Sequence, residues 1–191
     1  NNDFPGKNLA DVITISKKDA NGLSYGTSGT GGTPHIAGEL FKQKSGANII
    51  HIPYKGGGQA LLDLLGGNIP LVYTAVAGAN QYVSTGRIKA IAVSSAKRSS
   101  SMPDVPTFIE SGIKDFVIDD WVGLLAPAKT PKPIVAKLNQ ALNEILNSTE
   151  GKARLYAMGI TPTPGSPEKF GEQIKGDLVR FAPIVKAAQI K

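Results

Sequence analysis

An α/β fold with a doubly wound parallel sheet is the class this sequence predicts, and three observations predict it. Short apolar runs alternate with amphipathic stretches along most of the chain. The succession strand, glycine-rich loop, helix occurs three times over. The run Ile88 to Ser94 (IKAIAVS) is nearly continuously apolar, as a strand covered on both faces must be.

The elements follow in order. Asn8 to Ala20 reads as a helix, with Asn8 as cap, Asp11 in the first turn and Gly22 just past the end. Leu23 to Tyr25 is extended and leads into Gly26-Thr27-Ser28-Gly29-Thr30-Gly31-Gly32. Thr33-Pro34 then signals a helix start, a capping hydroxyl followed by proline at the first helical position. Ile36, Ala37, Leu40 and Phe41 form its apolar stripe, and Gly46 ends it. The cycle returns with a strand at Asn48 to Pro53, a loop at Tyr54 to Gly58 and a helix at Gln59 to Leu65. It returns again with a strand at Ile69 to Tyr73, a loop at Thr74 to Gly78 and a helix at Ala79 to Thr85. After the strand Ile88 to Ser94 come Pro103, Pro106 and a short helix ending at Gly112.

Further on the pattern changes. Trp121 to Ala126 (WVGLLA) reads as one strand, closed by Pro127. Pro131 to Asn147 is amphipathic, with Ile134, Val135, Leu138, Leu142, Ile145 and Leu146 on one side. A second helix is expected at Thr149 to Met158 and a short strand at Ile160 to Thr163. Ser166-Pro167 opens a helix reaching Ala188, weakened by Gly171, Gly176 and Pro183. These helices carry more apolar surface than one short strand can cover.

Composition limits the function classes. The 191 residues, 20.0 kDa, allow one ordinary domain or two small ones. With 41% hydrophobic and 19% charged residues, the chain is neither disordered nor collagen-like. No apolar run approaches the roughly 20 residues of a membrane-spanning helix, so a soluble chain is expected. Asn1-Asn2-Asp3-Phe4-Pro5 shows neither a basic n-region nor an apolar h-region, so no signal peptide is expected in the sequence. The absence of cysteine excludes disulfide scaffolds, thiolate metal sites and a cysteine nucleophile. Two histidines, His35 and His51, are too few for a multi-histidine metal site.

The net charge is +6, and it is unevenly placed. Up to Pro127 there are 11 Lys and Arg against 10 Asp and Glu; the last 64 residues have 10 against 5. The excess is scattered singly along apparent helices (Lys132, Lys137, Lys152, Lys175, Arg180, Lys186), with aromatics at only 6%. That describes a solvated helix face, and no nucleic-acid partner is expected.

Chemistry concentrates in the loop from Gly26 to Gly32, and familiar motifs fail there letter by letter. A phosphate-binding Walker loop needs lysine where Gly32 stands. The dinucleotide fingerprint fits Gly29 and Gly31 but fails at Pro34. The nucleophile elbow needs glycine where Thr30 stands, and no acid–histidine pair accompanies it. No cofactor is expected, and no catalytic or metal-ligating residue is assigned. What survives is general: a glycine-rich loop feeding a helix N-terminus presents free N–H groups and the positive end of a helix dipole. Thr27, Ser28 and Thr33 add hydroxyls, making a site for phosphate or carboxylate. The loops Tyr54 to Gly58 and Thr74 to Gly78 fall on the same edge of an open α/β sheet.

Plainer readings stand beside these. Glycines 56 to 58 also fit a simple tight turn. His35 reads as a packing or loop-bracing histidine, and His51, between Ile50 and Ile52, as facing solvent or a helix. Trp121 reads as core near a crossover, with ligand stacking as the lesser reading. Asp119 and Asp120 would point to opposite faces of a strand, which argues against joint acid–base work. Asn147-Ser148-Thr149 matches a glycosylation sequon, a pattern common by chance.

The segment Tyr25-Gly26-Thr27-Ser28-Gly29-Thr30-Gly31-Gly32-Thr33-Pro34-His35-Ile36-Ala37 resembles the lobe-two loop of tripartite tricarboxylate transporter substrate-binding proteins, the Bug or TctC family. The resemblance continues in order through Ile52-Pro53-Tyr54-Lys55-Gly56, Asp63 to Gly67, Gly86 to Val93, Arg98, Pro103 to Thr107 and Glu110 to Gly112. It closes with Trp121 to Pro127 and Val185 to Lys191, and so covers nearly the whole chain. It implies a periplasmic solute receptor of the type II binding-protein architecture, a two-lobed clamp that passes a small carboxylate to integral membrane transporter subunits. It implies ligand contacts at Thr27, Ser28, Gly29, Gly31, Gly32 and Thr33, at Lys55 and Gly56, and at Thr74.

Two departures from the family pattern bear on function. The family has a long N-terminal stretch that this sequence does not contain, including the first strand, phosphate-loop-like turn and most of the sheet of lobe one. Residues 1–122 then correspond to lobe two, nearly complete, residues 123–127 to a crossover strand or hinge, and residues 128–191 to the C-terminal part of lobe one. A fragment, a cleaved product and an exchanged dimer with a second chain completing lobe one all fit. Secondly, several relatives carry an acidic residue where Thr74 stands, able to pair with a ligand ammonium. The expected ligand is therefore a plain mono- or dicarboxylate. A small α/β hydrolase or transferase, which would need a base or nucleophile dyad, and a half-clamp that binds no ligand are the competing readings.

Overall fold

In the computed structural model, which describes residues 1–190, the first helix begins where Asn8 can close it. The Asn8 side chain accepts the Asp11 N–H at 2.9 Å, and helix α1 runs Leu9–Lys18. Gly22, at φ 73°, makes the left-handed turn into strand β1, Leu23–Thr27. Strand β2, Ile49–Pro53, lies parallel to it, with Leu23 opposite Ile49 and Thr27 opposite Pro53. Strand β3, only Leu71–Val72, pairs with Tyr25 and Gly26 on the other side. The sheet order is therefore β2-β1-β3, all parallel, and the central strand is the most deeply buried.

Three helices follow the three strands: α2 Thr33–Ser45, α3 Gly57–Leu65 and α4 Val76–Ser84. Helix α2 packs on β1 and β2, whereas α3 packs on β1 and β3. Right-handed crossovers that run in opposite directions along the sheet, β1 to β2 and then β2 to β3, place them on opposite faces, the doubly wound arrangement. Close packing fixes two glycines. A Cβ at Gly26 would meet Ile69, Tyr54 and Ala60, and one at Gly38 would collide with the Tyr25 ring. Leu61, Leu64, Ile69 and Ile88 form one core cluster, against which Tyr54, Val72 and Tyr82 pack. Phe116, fully buried, stacks on Phe108 with centroids 4.1 Å apart, and Phe41 meets Phe108 edge-on.

Several local expectations give way. Helix α2 starts at Thr33, with Gly32 as its cap and no side-chain capping bond, so Thr33 does not serve as cap. Helices α3 and α4 begin two and three residues earlier than expected, which shortens both loops. Ile88 to Ser94 joins no sheet: Val93 donates to Pro106 O and accepts from Phe108 N, leaving a single bridge to Thr107. Its apolarity is used in side-chain packing, Ile88 against α3, instead of in a ladder. The short helix before Gly112 is one turn, in which Thr107 and Glu110 cap each other reciprocally (2.7 and 3.0 Å) and Arg98 holds Glu110. Those bonds hold the Glu110 carboxyl below the usual range.

The described residues divide into two units, Asn1–Asp120 with the chain from Ile184 onward, and Trp121–Pro183. The second unit holds α5 Lys132–Asn147, α6 Thr149–Ala157 and most of α7 Pro167–Ala187. Ser148 caps α6 through the Gly151 N–H at 3.0 Å. Asn139 and Asn143 of α5 grip both backbone groups of Gly165. Neither Trp121 to Ala126 nor Ile160 to Thr163 is a strand. Apolar character favours a strand only where a neighbour completes its hydrogen bonds, and Val122 instead stands 95% exposed. Trp121 is not core either: it is 38% exposed, lies edge-on to Phe170, and donates from Nε1 to Asp177 at 2.8 Å.

Candidate functional site

Three strand ends meet at one edge of the sheet. Because β1 is flanked by strands reached in opposite directions, its C-terminal end is the topological switch point, where an open α/β sheet leaves a crevice. The loops that follow β1, β2 and β3 all open there.

The first loop turns on two glycines in backbone conformations that other residues avoid, Gly29 at φ 146° and Gly31 at φ 79°. Thr27 is fully buried beneath it. Its hydroxyl donates to Gly29 O at 2.9 Å, accepts the Gly29 N–H at 3.3 Å, and lies 2.6 Å from His51 Nε2. With its one proton given to Gly29 O, the hydroxyl must accept from His51, which fixes the Nε2–H tautomer. Gly31 donates its N–H to His35 Nδ1 at 3.0 Å, so His35 also carries its proton on Nε2, 3.9 Å from the Glu39 carboxylate. The two imidazoles stack with centroids 3.7 Å apart and planes 14° from parallel. Tyr25 donates to Glu39 at 3.2 Å.

These groups are held neutral. Burial, then the neighbouring His35, lowers His51 to about 4. Burial lowers His35 as well, against an opposing pull from Glu39. Burial and Glu39 raise Tyr25 far above the ordinary phenol.

The second loop prolongs the β1–β2 ladder by one bond, Tyr54 N–H to Thr27 O at 3.0 Å. Tyr54 reaches across to Asp63 of α3 through a 2.7 Å hydroxyl bond, which pins the loop to its helix. Lys55 is exposed and its N–H donates to Gln59 Oε1, while Gly56, at φ 119°, caps α3. The third loop begins after Tyr73, whose N–H donates to Gly26 O, and leaves Thr74 half-buried at the sheet edge.

Ser28 of the first loop, Gly57 at the start of α3 and Thr74 of the third loop converge. A Cβ built on Gly57 would lie 3.4 Å from Thr74 Oγ1 and 4.0 Å from Ser28 Cβ. The first two loops also touch, Gly29 beside the Tyr54 carbonyl. The amides of Gly29 and Gly31 are engaged within the loop, and those of Ser28, Thr30 and Gly32 find no acceptor among the described residues. None of α2, α3 and α4 has an acidic residue in its first turn. Three helix N-termini thus present uncompensated positive ends toward one crevice, with Lys55 beside it.

The expected site residues therefore separate by position. Ser28 and Gly32 are exposed, Gly29, Gly56, Thr33 and Thr74 half-buried, and Gly31 exposed with its amide already held by His35. Thr27 is spent inside the fold, where it shapes the loop. His51 takes the helix side of its two expected orientations, stacked on His35 of α2. Sequence reasoning had His35 as a packing or loop-bracing residue, but not Gly57, the Tyr54–Asp63 tie, the rest of the buttress in Tyr25, Glu39 and His51, or Ile190, which lies beside Gly31. One signal for the buttress was available, the i,i+4 spacing of His35 and Glu39. No group of three or more metal-ligating side chains occurs among the described residues.

Comparison with known proteins bears on this geometry. Residues 1–190 match the family model described as the tripartite tricarboxylate transporter family receptor. A UPF0065 protein from the TAR-I ttuE-ttuC' intergenic region of Agrobacterium vitis is 34% identical over 189 residues, 97% of this chain and 55% of that protein. The structure of R. palustris Rpa4515 with adipate superposes with a TM-score of 0.92 at 31% identity, covering 98% of this chain and 63% of that one. MatC (Rpa3494) from Rhodopseudomonas palustris with bound malate gives 0.84 at 27% identity, covering 96% and 63%. The chain spans about half the length of most of the curated relatives it matches.

Proposed function

From the premise that the chain belongs to the tripartite tricarboxylate transporter receptor family, we propose that it captures a small carboxylate at the junction of its three strand-to-helix loops. The family is one of receptors and not of enzymes. In this reading the ligand is handed to integral membrane transporter subunits, and the protein works in the periplasm. Residues 1–122 act as lobe two, 123–127 as the crossover, and 128–191 as the C-terminal part of lobe one.

One observation carries the reading: three helix N-termini without acidic first turns meet around Ser28, Gly57 and Thr74. Ser28, Gly29, Gly31, Gly32, Thr33, Lys55, Gly56 and Thr74 surround that point, with Thr27 shaping the first loop. A carboxylate oxygen suits donors of this kind, backbone N–H and hydroxyl, as well as phosphate does. Each helix end contributes about 0.3–1 kcal/mol, and up to about 2 when partly buried. Micromolar binding needs about 8 kcal/mol, so a second surface must close over the ligand. The lack of acidic groups in the three first turns, and Thr74 itself, leave a ligand ammonium without a partner. A plain mono- or dicarboxylate is the ligand class, of which the adipate and malate held by the two structural relatives are examples.

Calorimetry with adipate, malate, aspartate and glutamate tests this. The deaminated acids should bind more tightly than the amino acids, and Thr74→Asp should weaken adipate or malate at least about tenfold by placing a negative charge at the crevice. Tighter binding of aspartate or glutamate, or an unchanged affinity in Thr74→Asp, overturns the reading.

A further inference from the structure

The stacked imidazoles lie beneath the first loop, and they decide its shape. His35 offers Nδ1 as the acceptor for the Gly31 N–H, and His51 donates to the Thr27 hydroxyl that in turn grips both backbone groups of Gly29. Among the described residues, the hydrogen bonds that bend residues 28–31 thus run to His35 or to the Thr27 hydroxyl that His51 contacts. We propose that His35 and His51 are positioning residues for the ligand loop, which they hold in its receiving form only as a pair of neutral imidazoles.

The chemistry of the two nitrogens requires it. An imidazolium has no lone pair, so a proton on His35 Nδ1 strips Gly31 of its acceptor. Glu39 then supplies the competing partner: its carboxylate, already 3.9 Å from Nε2, draws the charged ring away from the loop. A proton on His51 leaves its bond to Thr27 intact but places a charge against the stacked His35 ring. The groups facing the pair are few. Helix α2 contributes Glu39 besides His35 itself, β1 contributes the Tyr25 phenol, whose proton is given to Glu39, and β2 contributes His51.

The sign of the pH dependence follows. Both rings are lowered in the folded protein, His51 to about 4, chiefly by burial. The folded state then binds fewer protons than the unfolded chain below the ordinary imidazole value near 6.5. The pair's contribution to stability is complete above that value and is lost as pH falls from it through the lowered values, and the loop itself loosens as His35 takes up its proton.

The role as a ligand loop rests on the carboxylate reading above, so the test separates the two. Histidine titration by NMR, recorded with the Gly31 amide, should show both rings titrating below 6.5 and the amide losing exchange protection at the His35 midpoint. His35→Gln keeps an acceptor that does not titrate and should make the Gly31 amide insensitive to pH over that range. His35→Gln also removes the neighbouring charge and should raise the His51 midpoint. Adipate affinity, measured at about pH 7.5 and about pH 5, should fall at least about threefold more in the natural protein than in His35→Gln, the ligand's own protonation cancelling between them. A Gly31 amide indifferent to His35, or rings titrating at the ordinary value, overturns the proposal. If the amide follows His35 but adipate binds at neither pH, the rings position the loop and the carboxylate reading is what falls.

Discussion

The two units were built with the same local signals and reached different ends. Every buried hydrophobic side chain among the described residues, from Phe4 to Ile184, belongs to the unit that carries the sheet. Of the fourteen large exposed hydrophobics among the described residues, eleven, including Leu125, Ile134, Leu138 and Leu178, belong to Trp121–Pro183. The amphipathic patterns of α3 and α5 are equally plain in the sequence. Helix α3 has a sheet beneath it, and α5 meets chiefly another helix. A periodic stripe states that a face needs covering; what covers it is settled elsewhere in the chain or outside it.

Paired substitutions put that difference to measurement. Phe116→Ala, at a ring with no exposed surface, should cost about 3–5 kcal/mol in urea unfolding, whereas Leu178→Ala, 68% exposed, should stay within about 0.5. A loss above about 2 kcal/mol at Leu178 would show that its face is covered in solution and would break the comparison. Glycines sharpen it at smaller scale. Gly38→Ala drives a methyl into the buried Tyr25 ring and should cost about 1–3 kcal/mol, read from the shift of the denaturation midpoint. Gly176→Ala in α7 meets open space and should instead stabilise by up to about 1 kcal/mol, from helix propensity alone. If both glycine variants moved in the same direction, space would not be what separates the units.

Much of this was readable in the chain, and the parts that were not share a cause. Asn8 and Gly46 begin and end helices by bonds a few residues long, so their positions were visible. The three strand-to-helix loops were visible for the same reason, since strand, glycines and helix start lie next to one another. Ile88 to Ser94 and Trp121 to Ala126 read as strands because apolar character is local, whereas a ladder partner is not. His51 needed the register that sets it opposite Tyr25, which is not written near it, whereas His35, four residues from the Gly31 amide it braces, was legible as a loop-bracing side chain. Thr27 was legible as a loop hydroxyl, but only the three-way bonding around it shows that it serves the loop from below.

The protein's single tryptophan gives this division an optical consequence. Trp121 lies edge-on to Phe170 and is tethered to Asp177, wholly within the second unit, while four of the five tyrosines (Tyr25, Tyr54, Tyr73 and Tyr82) lie in the first. Emission selected for indole therefore reports the melting of the helical unit alone, and phenol absorbance mostly that of the sheet unit. Where the two traces part on heating, the chain is unfolding in two steps, and the gap between them measures how far one unit depends on the other.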